Sequence, residues 1–182
     1  MKTALLVIDV QMALAAEDAA GAERSCPQAE QNIAELLAAF RAAGDMVVHI
    51  HHHGTDPDDP FHPDASGSAV QPVAAPLEGE PVVVKNVSSG FSGTRLKETL
   101  EAAGIERVIL CGATANHCVE STTRSAGDLG FQPVYAADAV WTYGLTGPDG
   151  NSHAADVIHS VSMATLQGEI ADVLRTEEIL TM

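Results

Sequence analysis

Three residues that could take part in covalent catalysis stand at or just beyond the ends of short apolar runs. Asp9 closes TALLVID, Lys85 closes PVVVK, and Cys118 follows RVILCG after a short turn. Such runs are typical of strands buried in a parallel sheet. Because ligands of these sheets bind at the carboxyl ends of the strands, we expect the acid, the ammonium and the thiol to converge at one edge. Together they could supply a base, an electrostatic stabiliser and a nucleophile.

The thiol of Cys118 must lose its proton to become a strong nucleophile, and a free cysteine has a pKa near ~8.5. The pattern predicts a helix over 118–130, which puts Cys118 at a helix N-terminus, where free N–H groups favour an anion. A nearby Lys85 ammonium would favour the thiolate further, so we predict a lowered pKa for this thiol. Cys111, inside a predicted strand, and Cys26, in a predicted loop, have the pattern of ordinary structural residues.

The elements that must position these residues alternate along the chain. The patterns predict strands at 3–9, 46–52, 81–85, 107–112, 132–138 and 170–175, and helices at 27–43, 94–103, 118–130 and 152–166. This alternation predicts one α/β domain over residues 1–182. We expect a doubly wound, mostly parallel sheet of roughly six strands with helices on both faces. Segments 54–81 and 139–151 are predicted to contain the loops that determine the substrate.

The charge balance excludes several classes of partner. The chain has 9 Lys and Arg against 25 Asp and Glu, a formal net charge of −16. Such a surface repels nucleic acid and anionic membranes, and it disfavours strongly anionic substrates unless a local cationic pocket overrides it. The first apolar run is too short for a signal peptide, and no run reaches the ~18 apolar residues of a membrane span. We therefore expect a soluble, cytoplasmic protein that acts on a small molecule.

Three segments resemble the isochorismatase-like cysteine hydrolases, a family that includes nicotinamidases and N-carbamoylsarcosine amidohydrolases. They are LLVIDVQ (5–11), VVVKNVSSGFSGTRL (82–96) and VILCGATANHCVESTTRSAGDLGF (108–131), and they occur in the family's order. The resemblance implies a single hydrolase domain with no cofactor. It also implies a homo-oligomer, either a dimer or a tetramer.

The resemblance implies roles for individual residues. Asp9, Lys85 and Cys118 would form the catalytic triad. A cis peptide would join Ala113 to Thr114, and the backbone N–H groups of Thr114 and Cys118 would form an oxyanion hole. In this reading the thiolate attacks an amide, ureido or lactam carbonyl of a small molecule. The C–N bond is cleaved through a thioester.

Three alternatives remain open from the residues alone. Vinyl-ether hydrolysis, as isochorismatase itself performs, needs protonation by Asp9 but no thiol. A non-catalytic metabolite-binding protein could have the same fold, although no Gly-x-Gly-x-x-Gly follows the first strand. A thiol redox sensor would need a resolving cysteine beside Cys118, and only Cys111 is close in sequence.

Four histidines crowd the end of the second predicted strand. Strand alternation puts His49, His51 and His53 on one face and His52 on the other. Nicotinamidases of the family bind a metal through an Asp-x-His…His motif, which this sequence lacks. We therefore predict no metal site, and one or two neutral imidazoles buried beside the catalytic residues.

Five further residues are candidates for the walls of the substrate pocket because they lie close in sequence to the predicted strand ends. They are Gln11, Phe91, Asn116, His117 and Trp141.

Overall fold

The apolar runs of the sequence form the strands of one sheet in the computed structural model, which describes residues 1–182. In chain order the elements are β1 (Thr3–Ile8), α1 (Met12–Ala19), α2 (Ala29–Ala43), β2 (Met46–His52), β3 (Val82–Lys85), α3 (Leu96–Ala102), β4 (Arg107–Ala113), α4 (Glu120–Asp128), β5 (Gln132–Trp141), β6 (Leu145–Thr146), β7 (Ser152–His153), α5 (Ala155–Leu166), β8 (Asp172–Leu174) and α6 (Thr176–Ile179). A π-helical turn, Ala115–Val119, precedes α4. None of these helices is both long and apolar enough to cross a membrane.

The main sheet has six strands in the order β3-β2-β1-β4-β5-β8, and every neighbouring pair is parallel. The chain builds outward from β1 through β2 to β3, then returns to the other side of β1 with β4, β5 and β8. The predicted α/β class with a doubly wound sheet is thus confirmed. The reversal between β1 and β4 leaves a crevice at their carboxyl ends, where ligands of such sheets bind.

Alternate residues of the central strand face two separate cores. Leu5 and Val7 pack in the core covered by α1, α2 and α6, whereas Leu6 and Ile8 pack in the core covered by α3, α4 and α5. Both faces of the sheet are therefore buried, which is why β1 consists of a continuous apolar run rather than alternating apolar and polar residues.

Gly112 allows β4 to approach β1 closely at the crevice. Its φ is +115°, and a Cβ atom built on it would lie 2.0 Å from the carbonyl oxygen of Ile8. Only glycine fits this position, because any side chain would collide with the neighbouring backbone.

Several boundaries differ from the sequence predictions. The helix predicted over 118–130 follows a π-helical turn that already begins at Ala115, and the fifth strand continues to Trp141. Helix α1 and the β6–β7 hairpin were not predicted. The segment MALAAEDA of α1 is short and rich in alanine, so it has no clear apolar stripe that would reveal a helix.

Candidate active site

The structure brings Asp9, Lys85 and Cys118 together at the carboxyl edge of the sheet. Lys85 ends β3, and its Nζ donates to Oδ2 of Asp9 at 2.7 Å and contacts Sγ of Cys118 at 3.3 Å. Asp9 is 3% exposed and Lys85 is 1% exposed. A buried ammonium and a buried carboxylate are tolerated because each neutralises the other.

The backbone of Asp9 turns sharply at the end of β1. Its φ is +52°, a left-handed conformation that Asp tolerates better than most residues, and its N–H donates to the carbonyl of Ile50 at 2.8 Å. The turn leaves Oδ1 of Asp9 buried and without a hydrogen-bond partner. One carboxylate oxygen therefore bonds to Lys85, and the other remains available to take a proton.

The predicted lowering of the Cys118 pKa is wrong. Burial raises the pKa of this thiol to about 12, and the negative charge of Asp9 adds to that effect, while Lys85 opposes it. Cys118 does lie at the start of a helix, directly before Val119, the N-cap of α4, but burial has the largest effect on its pKa. At neutral pH Cys118 is therefore a thiol, and the sequence pattern did not reveal how deeply it is buried.

The carboxyl of Asp9 is shifted in the same direction. Burial raises its pKa, and the charge and hydrogen bond of Lys85, together with the Cys118 thiol, work against that increase. A carboxylate with a raised pKa is a better proton acceptor than an ordinary aspartate and, once protonated, remains a usable acid. These are the properties that proton transfer from a thiol to a leaving group requires.

A cavity of about 220 Å³ opens beside the thiol. Its walls combine the catalytic candidates with apolar and imidazole side chains: Asp9, Leu14, His52, Phe61, Ala113, Thr114, His117 and Cys118. The peptide bond from Ala113 to Thr114 is cis, as the resemblance implies. Thr114 and Cys118, the two residues expected to form the oxyanion hole, line this same cavity.

Sequence analysis did not identify His52 as a cavity wall. Its Nδ1 lies 3.3 Å from Nζ of Lys85, and its ring packs edge-on against Phe61 with centroids 5.6 Å apart. Because an ammonium can only donate, Nδ1 is the acceptor and the proton of the neutral ring is on Nε2. Burial and the Lys85 charge lower the pKa of His52, so the ring stays neutral. One neutral imidazole beside the site matches the expectation from the sequence.

Gln11, expected as a cavity wall, instead connects two strand ends to a loop. The side chain is fully buried, and its Oε1 accepts the backbone N–H of His52 at 2.8 Å. Its Nε2 donates to the carbonyls of His52 at 3.0 Å and Ser68 at 2.8 Å. All of its polar atoms are therefore occupied, and its role here is to hold His52 in place.

Three other expected cavity walls also lie elsewhere. Trp141 is fully buried and donates from Nε1 to the hydroxyl of Tyr143 at 3.2 Å, and Phe91 stacks on Phe131 with centroids 5.9 Å apart. Oδ1 of Asn116 accepts the Thr142 hydroxyl at 2.6 Å, and its side chain lines a different surface depression. Of the five candidates only His117 lines the cavity, with Nδ1 3.2 Å from the Thr114 hydroxyl.

The other histidines of β2 face away from the cavity. His49 hydrogen-bonds through Nε2 to Oε2 of Glu80 at 2.8 Å, and its ring centroid lies 6.4 Å from that of His51 on the same face. Burial lowers the pKa of His51 to about 4, with smaller contributions from the two neighbouring histidines. No three His, Cys, Asp or Glu side chains lie together in an arrangement that could hold a metal ion.

Comparison with known proteins identifies the family. The model of the isochorismatase domain matches residues 3–178. This chain belongs to the isochorismatase family. A family protein of Bacillus subtilis, YrdC, which has no described activity, is 36% identical over 179 residues that cover 98% of this chain and 95% of its own.

Other family members are similar in structure or have a named substrate. The crystal structure of a putative isochorismatase-family hydrolase from Chromobacterium violaceum superimposes with a TM-score of 0.93 and 38% identity, covering 99% of this chain and 92% of the other. The streptothricin hydrolase of Streptomyces noursei is 37% identical over 145 residues, which cover 78% of this chain and half of that enzyme. The isochorismatase-family members therefore include hydrolases.

Proposed function

We propose that this isochorismatase-family hydrolase is a cysteine hydrolase that cleaves a C–N bond of a small amide, ureido compound or lactam. One observation carries the proposal: the Lys85 ammonium contacts both Oδ2 of Asp9 and Sγ of Cys118 at the wall of a cavity. An acid, a cation and a thiol in contact at a strand-end crevice are the groups that nucleophilic acyl transfer needs.

The first half of the reaction forms a thioester. Oδ1 of Asp9, which has no partner at rest, takes the Sγ proton of Cys118 as the sulfur attacks the carbonyl carbon. Lys85 compensates the negative charge wherever it resides, first on the carboxylate and then on the sulfur. The N–H groups of Thr114 and Cys118 stabilise the oxyanion. The protonated Asp9 then gives its proton to the leaving nitrogen, and the C–N bond breaks.

The second half regenerates the enzyme. A water molecule loses a proton to Asp9 and attacks the thioester carbonyl, and the resulting tetrahedral intermediate expels the sulfur. Cys118 recovers its proton from Asp9, and a carboxylic acid, or a carbamic acid from a ureido substrate, is released. Asp9 therefore acts alternately as base and acid, in keeping with its raised pKa.

The raised pKa of the thiol favours this order of events over a preformed thiolate. A thiol with a pKa of about 12 is rarely ionised at neutral pH, so the proton transfer to Asp9 accompanies the attack of sulfur on the carbonyl. The similarity to streptothricin hydrolase adds a relative whose named activity is hydrolysis.

The test is release of ammonia or amine from a panel of small amides and lactams, measured with the unmodified protein and with Cys118→Ala. We expect the variant to lose at least about a thousandfold in kcat/KM, since removal of a nucleophile leaves only binding and the oxyanion hole. Cys26→Ala is the matched control, because that thiol lies outside the cavity. A mass increase on Cys118 equal to the acyl group, trapped by acid quench, would identify the thioester.

Two results would contradict the proposal. Equal amide hydrolysis by Cys118→Ala and the unmodified protein would remove the nucleophile from the mechanism. Hydrolysis of a vinyl ether that survives Cys118→Ala but is lost in Asp9→Asn would instead support the alternative chemistry, which needs the acid and no thiol.

A further inference from the structure

The loop that supplies Phe61 to the cavity is strongly acidic. Residues 54–64, GTDPDDPFHPD, contain four aspartates and no lysine or arginine. Three of them, Asp56, Asp58 and Asp59, form no ion pair, and Asp64 contacts only His62 at 3.8 Å. The loop therefore places uncompensated negative charge beside one wall of the cavity.

Asp59 is the member of this loop whose position is best defined. Its Oδ1 accepts the backbone N–H of Phe61 at 2.8 Å, and its carboxyl packs so closely against Gly54 that a Cβ there would lie 2.3 Å from it. Its charge acts on the His52 ring in the cavity wall and favours the protonated form of that ring. Its Oδ2 makes no hydrogen bond and also packs against Gly54.

The cavity walls offer an anion little positive charge. Neither lysine nor arginine is among the lining residues, and Lys85 behind them already pairs with Asp9. His52 is held neutral, and the remaining walls are Asp9, the exposed imidazole of His117, and apolar or small side chains. A second observation marks the cavity as a ligand site: Oδ1 of Asp9, in a residue 3% exposed, lines it without a partner.

The size of the cavity determines which part of a substrate meets the acidic loop. At about 220 Å³ it is smaller than the roughly 300–1,000 Å³ of typical ligand pockets, so it encloses the scissile carbonyl and a few atoms beside it. The remainder of a larger substrate must lie outside these walls, one of which is Phe61 of the acidic loop.

We propose that Asp59 makes this site select substrates that carry a positive charge, such as an ammonium group, a few atoms from the scissile carbonyl, and that the site discriminates against carboxylate-bearing analogues. The proposal rests on the hydrolase function proposed above and names its substrate class. The net charge of −16 acts in the same direction over longer distances. The discrimination arises because a cation is attracted to Asp59, whereas no lysine or arginine among the lining residues compensates the charge of an anion.

A thiol-labelling experiment tests this without knowledge of the substrate. Cys118 is treated at pH 9 with two methanethiosulfonate reagents of similar size, one with a trimethylammonium group and one with a sulfonate. Sγ attacks the reagent's sulfenyl sulfur to form a mixed disulfide, and methanesulfinate leaves. Tandem mass spectrometry of the modified peptides assigns the label to Cys118, and each rate is divided by that of free cysteine.

We expect the cationic reagent to react at least about tenfold faster than the anionic one, and this ratio to fall as salt is added. Asp59→Asn should lower the ratio about fourfold, because removal of one partly exposed charge changes each rate by roughly twofold in opposite directions. The asparagine oxygen can still accept the Phe61 N–H. Neutral methyl methanethiosulfonate should therefore react with the variant at the unmodified rate, which shows that the loop is intact. Asp128→Asn, the matched control, removes an equal charge at the far end of α4 and should leave the ratio unchanged.

Two labelling results would overturn the inference: a ratio near one or below it, or equal ratios in Asp59→Asn and Asp128→Asn. The hydrolase function is tested separately with 5-aminopentanamide, pentanamide and glutaramate, which differ in charge. If none is hydrolysed but the labelling ratio holds, the proposed function fails and the charge selection stands. If all three are hydrolysed with equal kcat/KM, the hydrolase function stands and the charge selection fails.

Discussion

The protonation state of Cys118 can be tested directly, because its raised pKa predicts a neutral thiol in the free protein, whereas the sequence suggested a thiolate. The perturbation is Asp9→Asn, which removes the negative charge that raises the thiol pKa and leaves the Lys85 ammonium without its carboxylate. Hydrolysis should be lost because the proton acceptor is gone. The thiol itself should become more reactive towards an alkylating reagent.

The magnitude follows from the fraction of thiolate at neutral pH. With a pKa of about 12, instead of the 9.0 of an unperturbed thiol, Cys118 is ionised about a thousandfold less at pH 7. A neighbouring unpaired cation typically lowers a pKa by about 1–3 units, so Asp9→Asn should raise the alkylation rate at pH 7 by about 10- to 1,000-fold.

The assay is the rate of Cys118 alkylation by iodoacetamide between pH 6 and 11, followed by mass spectrometry with Cys118→Ser as the blank. Restricted access slows the reaction equally at every pH, whereas ionisation moves the midpoint, so the shape of the profile separates the two effects. The unmodified protein should show a rate that still rises at pH 10. A plateau below pH 8, or an unchanged profile in Asp9→Asn, would refute the assignment of a neutral resting thiol.

Three further substitutions test stability. Lys85→Met leaves the Asp9 carboxylate buried and unpaired and should reduce the free energy of unfolding by about 3–5 kcal/mol at pH 8, and by less at pH 5, where that carboxyl takes up a proton more readily. Hydrogen bonds from Arg41, the Leu77 backbone and His49 lower the pKa of Glu80 from 4.5 to about 2. The ionised carboxylate therefore makes its full contribution to the free energy of unfolding above about pH 4.5, and this contribution is lost as the pH falls through 2. Glu80→Gln should therefore cost about 2 kcal/mol at pH 6, and the gap to the unmodified protein should close towards pH 2. Gly112→Ala should cost more than about 3 kcal/mol, since its Cβ has no room beside β1.

Each of these substitutions has a control of the same type, and all are read by denaturant unfolding. Lys97→Met removes an exposed lysine and should change stability by less than about 0.5 kcal/mol. Glu78→Gln, two residues from Glu80 on the exposed surface, should change stability by less than about 0.5 kcal/mol. Gly127→Ala, inside α4 with 3.5 Å of clearance, should be neutral or stabilising. Losses in the controls equal to those in the test variants would contradict the assigned causes.

The fold and the catalytic candidates could be predicted because they depend on local patterns. Apolar runs marked five of the six strands of the main sheet closely, and the parallel topology then required Asp9, Lys85 and the Cys118 turn to share one edge. The sixth strand, Asp172–Leu174, lies at the sheet edge and is shorter than the predicted 170–175, because only these three residues pair with β5.

The cavity walls could not be predicted, because they depend on contacts between distant segments. Phe61 belongs to a loop without periodicity, and it reaches the cavity through the turn that Asp59 holds. Gln11 was expected to face the substrate because it lies two residues from Asp9, yet the strand has already ended and its side chain turns to bind the backbone of β2. Alternation is a reliable guide only within a strand.

In the proposed mechanism, the raised thiol pKa and the buried ion pair together control the reactivity of Cys118. A permanent thiolate would react with oxidants as well as with substrate, whereas a neutral thiol reacts only slowly with oxidants. Lys85 alone would favour the thiolate, and Asp9 alone would be too costly to bury as a charge. As a pair they are neutral, and they keep the proton on Cys118 until a carbonyl in the cavity provides an acceptor for the sulfur's electrons. In the proposed mechanism, the same pairing makes Asp9 basic enough to take the proton and acidic enough to return it, so one carboxyl serves both halves of the reaction.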